Sequence, residues 1–118
     1  MNDDTETLAA AMVQADRFCL RVHGLIADRP PDSDTAELRL KLNQSHAMLS
    51  DLQGFYNDGE LNIENPSVRS EFRALITSLL WVSFRARKLL DYKTFRMLVS
   101  VENAIAIMLD RSSRDFPD

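Results

Sequence analysis

Apolar residues recur every three or four positions through four stretches of this chain, and three short polar segments interrupt them. That spacing repeats once per helical turn, so it commits the chain to helices that each bury a stripe of side chains. The first stretch covers residues 5–27, with Leu8, Met12, Ala15, Cys19, Val22 and Ile26 on its stripe. Asp28-Arg29-Pro30-Pro31-Asp32 ends it, because proline lacks an amide proton and disfavours helix at the residue before it. Ser33 or Asp34 is predicted to cap a second helix over residues 34–57, with Glu37 returning the hydrogen bond of a capping box. Its stripe reads Leu38, Leu42, Ser45, Leu49, Leu52 and Tyr56. Asn57-Asp58-Gly59 supplies the stop, and a loop continues to Asn65.

Pro66, with the fixed φ suited to a first helical position, opens a third helix predicted over residues 66–90. Val68, Phe72, Leu75, Leu79, Val82, Ala86 and Leu90 form its stripe. A break near Asp91-Tyr92 precedes a fourth helix over residues 93–111, where Leu98, Val101, Ile105 and Met108 share a face. Neither glycine-containing hairpin turns nor alternating β-branched runs compete with this pattern. The chain's 118 residues suffice for one domain, residues 1–118. Four helices with short connections place neighbours antiparallel, so the expected fold is all-α, an antiparallel up-down four-helix bundle.

Charge narrows the possible partners. Residues 1–68 carry 5 Lys and Arg against 12 Asp and Glu, whereas residues 69–96 carry 7 against 2. The cations Arg85, Arg87, Lys88, Lys93 and Arg96 cluster. They could touch phosphates or an acidic partner, but the preferred account is a helix C-terminus, where the macrodipole favours them. An isoelectric point near 5.1 speaks against nucleic acid as the partner. The acidic Met1-Asn2-Asp3-Asp4 start differs from a secretory signal, and no apolar run approaches a membrane span. The expected location is therefore the cytoplasm, with no membrane partner.

Chemistry is sparse. Arg17 and His23 echo the Arg-x(4–6)-His signature of helical HEPN-type ribonucleases, but six residues separate their side chains by about 240° around a helix. His46 invites comparison with histidine phosphotransfer bundles, although Leu49 stands where those proteins usually carry a lysine. A partly exposed helix histidine with no role is the simpler account and is preferred. One cysteine and two histidines on separate helices form no metal-ligand set, and no nucleophile motif is present. The expectation is a protein without enzymatic activity, cofactor or metal.

Apolar surplus is the more informative feature. With Val68 set at zero and about 100° per residue, the third helix's stripe falls within about 40° of that direction. Leu80, Phe84 and Trp81 fall at about 120°, 160° and 220°, outside it. In the first helix Val13 and Leu20 stand at about 140° and 120° from Leu8. Ile107 in the fourth lies among Arg96, Ser100, Asn103 and Arg111. A second apolar face on several helices points to contact with another chain, either a protein partner or a second copy. The alternative is a third helix buried on most sides. On the contact reading Leu80, Trp81 and Phe84 are the anchors, Val13 and Leu20 contribute, and Arg85 and Lys88 steer an acidic partner.

The segment Phe72-Arg73-Ala74-Leu75-Ile76-Thr77-Ser78-Leu79-Leu80-Trp81-Val82-Ser83 resembles a helix of the FlaF family, small helical regulators and chaperones of bacterial flagellin. That helix tends to read Leu-Arg-Ala-x-Leu-Ile-Ser-Leu-x-Leu-Trp-Val, and the match takes a one-residue slip between Ala74 and Trp81. The stretch from Leu98 to Leu109 resembles the family's closing Leu-Ile-Asp-Ile-Asn-x-x-Ile-x-x-Gly-Leu, with Ser100, Glu102 and Met108 replacing its Asp, Asn and Gly. Asn43 matches the start of the family's Asn-Arg-x-x-Trp, whose last position holds Ala47. The resemblance spans about half the chain. It implies a cytoplasmic export chaperone that covers an apolar helical segment of flagellin. Alternatives are an acidic immunity protein or antitoxin, a phosphotransfer protein centred on His46, and a regulator using the basic cluster.

Overall fold

A computed structural model of the chain describes residues 3–30 and 32–115. Met1, Asn2, Pro31 and residues 116–118 lie outside the described residues, as do the side chains of Asp3, Ser33 and residues 111–115. Four helices follow one another: α1 (Asp3–Ala27), α2 (Ser33–Asn57), α3 (Pro66–Arg85) and α4 (Tyr92–Asp115). They pack in the cyclic order α1–α2–α3–α4, with α4 closing back on α1, in a body of 46 × 26 × 25 Å. Arg85 of α3 lies near Glu37 of α2, while Arg21 of α1 reaches Thr94 of α4, so sequential neighbours run antiparallel. This is the up-down four-helix bundle that the periodicity implies. No helix among the described residues is long and apolar enough to cross a membrane.

The four stripes converge on a single core. Leu8, Ala15, Val22, Leu42, Leu52, Phe72, Leu75, Val82, Val101 and Ile105 are all buried in it. Phe18, absent from the predicted α1 stripe, is fully enclosed, and Ala11 is buried beside it. The α1 face is thus wider than one residue per turn, as a helix touching two neighbours requires. Leu61 and Ile63 of the α2–α3 loop also enter the core, and the Thr5 hydroxyl donates to the Leu61 carbonyl at 3.2 Å. At mid-bundle the buried hydroxyls of Ser45 and Ser78 lie 2.7 Å apart across the α2–α3 seam. Ser45 donates to the Lys41 carbonyl at 2.9 Å and accepts from Ser78, so neither oxygen is left unsatisfied.

Four local expectations are corrected. The α2 cap is Asp32, not Ser33 or Asp34, and its reciprocal partner is Thr35 rather than Glu37. Asp32 Oδ1 accepts the Thr35 amide at 2.8 Å, and Thr35 Oγ1 accepts the Asp32 amide at 2.9 Å. Tyr56 is exposed rather than core, because Phe55 takes the inward position in the last turn of α2 and packs on the core. Helix α3 ends at Arg85 instead of continuing to Leu90: the amides of Arg87 and Leu89 turn to the carbonyls three residues back, Phe84 and Ala86. Leu90 is consequently only half-buried. Helix α4 also runs beyond residue 111, to Asp115.

The turn delivers Asp91 to the head of α4, where its Oδ1 accepts the Thr94 amide at 2.7 Å. Arg21 reaches across from α1, donating from Nε to the Thr94 hydroxyl at 3.0 Å and from Nη2 to Asp91 Oδ2 at 3.3 Å. The same Asp-x-x-Thr arrangement therefore starts both α2 and α4. Hydrogen bonds from Thr35 hold the Asp32 carboxyl below its usual titration range, and hydrogen bonds from Thr94 do the same for Asp91, aided by Arg21. Carboxyls lowered in the folded state contribute fully above the unfolded aspartate value of about 3.9 and lose that contribution as pH falls through the lower, folded one. Thermal melts followed by circular dichroism should thus show stability falling below about pH 4. In Asp32→Asn/Asp91→Asn that acid limb should flatten, because asparagine caps without titrating.

Candidate protein-binding surface

Once the stripes are buried, several large apolar side chains remain outside. Near the α3–α4 turn, Leu80 is 39% exposed, Phe84 63%, Tyr92 73% and Phe95 50%. Leu80 and Phe84 stand one turn apart on α3, and Tyr92 and Phe95 nearly one turn apart on α4, so the four walls of apolar surface face a shared recess. This groove of about 590 Å³ is lined by them together with Ser83, Arg87, Leu90 and Asp91. Its rim is cationic. The Arg87 guanidinium lies 4.4 Å from the Phe84 ring centroid and donates to the Phe84 carbonyl at 2.7 Å. Arg96 lies 5.7 Å from the Tyr92 ring centroid. Lys88 and Lys93 are exposed on the turn and the first turn of α4.

Trp81 does not join this group. Its ring is half-buried against the core, on the side of α3 that faces α2. Lys41 Nζ approaches it at 5.6 Å and the Arg85 guanidinium at 5.1 Å, which covers the indole with two cation–π contacts. Arg85 also lies 3.9 Å from Glu37, so it serves the α2–α3 side rather than the groove. The predicted anchor set thus splits into Leu80 and Phe84 on one side and a partly enclosed Trp81 on the other. Lys88 alone of the two predicted steering cations has no carboxylate at ion-pair distance among the described residues.

Val13 and Leu20 line a second recess of about 660 Å³ between α1 and α2, with Met12, Leu49, Tyr56 and the exposed His46. In the cyclic arrangement this face lies opposite the α3–α4 groove, so Val13 and Leu20 cannot share one contact with Phe84. Arg17 lines that recess and His23 lies outside it, which leaves the ribonuclease-like pair unjoined. Ile107 is exposed as its polar neighbours imply, and Leu40 is also exposed. A third, polar recess of about 740 Å³ between α2 and α3 holds Asp51, Asp58, Glu60 and Glu71. Burial, followed by the nearby Asp51, raises the Glu71 carboxyl above its usual range. Among the described residues no three His, Cys, Asp or Glu side chains are placed to hold a metal ion.

Sequence reasoning missed Tyr92 and Phe95. Phe95 lies inside the expected helix, and its angle off the stripe was the available signal. Tyr92 falls in the break expected at residues 91–92, whereas Asp91-x-x-Thr94 is a cap that starts the helix there. From there Phe95 and Tyr92 sit at about 60° and 120° from Leu98, off the α4 core stripe. Comparison with known protein families, characterised proteins and solved structures finds no match to the chain.

Burial, with Asp16 adding to it, pushes the Cys19 thiol up to about 12. Thiol-reactive dye should therefore label the native protein slowly and the urea-unfolded protein rapidly. The two aromatic environments also predict different costs. Trp81→Ala should lower stability in urea unfolding by about 1–3 kcal/mol, less than a fully buried aromatic. Phe84→Ala should change it by no more than about 0.5 kcal/mol.

Proposed function

We propose that this protein is a non-enzymatic binding module that covers an apolar helical segment of a protein partner. The observation that carries the reading is the α3–α4 groove, where Leu80, Phe84, Tyr92 and Phe95 stay exposed around one recess. Aromatic side chains grouped in a concave patch are the usual anchors of protein contacts, and a groove between helices suits a helix laid along it. The FlaF resemblance, carried by Phe72 to Ser83 and Leu98 to Leu109, gives the partner class: a flagellin-like export substrate held in the cytoplasm before assembly. Such a role needs recognition and release, and it calls for no cofactor or titrating group. An immunity protein or antitoxin is the second reading. It is favoured by the acidic first half, with 12 carboxylates against 5 cations in residues 1–68, a charge balance suited to plugging a basic toxin.

Purified flagellin, titrated calorimetrically into the parent protein, should bind, and Phe84→Ala should weaken it about thirtyfold or more. Phe84→Ala should keep the helical dichroism and melting profile of the parent. Failure of flagellin to bind removes the export-chaperone reading. Equal affinity of Phe84→Ala and the parent removes the groove as the contact.

A further inference from the structure

Resting on the reading of the α3–α4 groove as a protein-binding site, we infer that its occupant is an acidic amphipathic helix. Its apolar face seats on Leu80, Phe84, Tyr92 and Phe95, and its flanking carboxylates meet Arg87, Lys88, Lys93 and Arg96. Charge is the first argument. Residues 84–96 hold five cations and one carboxylate, while the rest of the chain holds nine cations and seventeen carboxylates. The one local carboxylate, Asp91, is already engaged by Arg21 and by the Thr94 amide. Among the described residues no carboxylate lies within ion-pair distance of Arg87, Lys88, Lys93 or Arg96. These four cations are therefore without a carboxylate partner among the described residues, and together they complement a negative surface.

Placement of the cations is the second argument. Helix-dipole stabilisation accounts for Arg85 in the last turn of α3. It works against Lys93, which occupies the first turn of α4 where the helix end is already positive. The dipole thus gives no account of Lys93 at that place, which points to a role outside the fold. Arg87 and Arg96 each lie over an aromatic ring of the groove, 4.4 Å from Phe84 and 5.7 Å from Tyr92, and their guanidinium N–H groups are of the kind that donates to carboxylates.

Shape and symmetry separate this occupant from others. The apolar side chains border a recess between two helices, which a partner helix fills and a flat lipid surface does not. A second copy of this chain using the same patch would set these cations against their own equivalents, since a two-fold contact is self-complementary.

The test uses two fluorescently labelled helical peptides of about 18 residues with the same apolar face, flanked by Glu in one and by Lys in the other. Fluorescence anisotropy with the full chain should give the Glu peptide at least about tenfold tighter binding, and that advantage should shrink from about 0.05 M to about 0.5 M salt. Lys88→Glu/Lys93→Glu/Arg96→Glu should abolish or reverse the preference, while Phe84→Ala weakens both peptides and Phe84→Leu largely restores them. Lys93→Glu alone should raise the melting temperature even as it weakens the Glu peptide, so a folding defect cannot imitate the result. Equal or tighter binding of the Lys peptide overturns the acidic occupant and leaves the binding-module reading standing. Indifference of both peptides to Phe84→Ala, or no binding of either, overturns the proposal together with that reading. Tighter binding to anionic phosphatidylserine vesicles or to a single-stranded oligonucleotide, or a dimer dispersed by Phe84→Ala in analytical ultracentrifugation, likewise overturns it.

Discussion

The carboxylate of Asp91, accepting the amide of Thr94 and gripped by Arg21, governs the end of the bundle where the exposed apolar residues gather. A capping aspartate has extended backbone, so the helical path of α3 cannot run through it. The chain must leave α3 early, turn over Ala86 to Leu90, and restart at Tyr92. That early exit puts Phe84 within a turn of the α3 terminus and brings Tyr92 and Phe95 up beside it. A third helix continued to Leu90 would have carried the fourth helix's aromatics away from Phe84. The latch from α1 also ties this turn to the helix most deeply shared by the core, so the groove is built on held elements rather than on a loose connection.

The apolar residues left outside the core are not one surface. Two recesses face opposite ways, and the lone tryptophan belongs to neither, its ring roofed by Lys41 and Arg85. Helical angles alone group Trp81 with Phe84, because about 60° separates them on the α3 wheel. Packing divides them: α2 lies against one flank of α3 and α4 against the other. A residue's angle states that it leaves the core stripe, and only the neighbouring helix decides whether it then meets protein or water.

Much of the fold was legible because it rests on periodicity. Leu38, Leu42, Ser45, Leu49 and Leu52 of α2, and Leu98, Val101, Ile105 and Met108 of α4, are buried as their spacing requires. Pro66 opens α3 with Asn65 as its cap, and Gly59, with φ of 74°, supplies the left-handed residue that follows α2. The caps were less legible, because Asp, Ser and Thr crowd the same few positions before α2 and any of them can accept an amide. The burial of Leu61 and Ile63 was invisible for a different reason: a loop has no period, so its inward residues carry no pattern. Half of the candidate groove, Leu80 and Phe84, followed from surplus hydrophobicity. In the other half, Tyr92 depended on where one helix stops and the next begins, which is settled by hydrogen bonds between side chain and backbone. Phe95 was within the expected helix and readable from its angle off the stripe.

The paired hydroxyls of Ser45 and Ser78 have a consequence for alignment. Leucines along a seam are nearly interchangeable, so an apolar α2–α3 contact alone distinguishes poorly between one axial setting and the next. Sliding α2 by a turn would place Ser45 against α3 hydrocarbon such as Leu75 or Val82 and Ser78 against α2 hydrocarbon such as Leu42 or Leu49, taking from the Ser78 hydroxyl its partner across the seam. The pair thus acts as a detent that selects one position along the helix axis, and the relative height of the helix ends at both rims of the bundle is inherited from that choice.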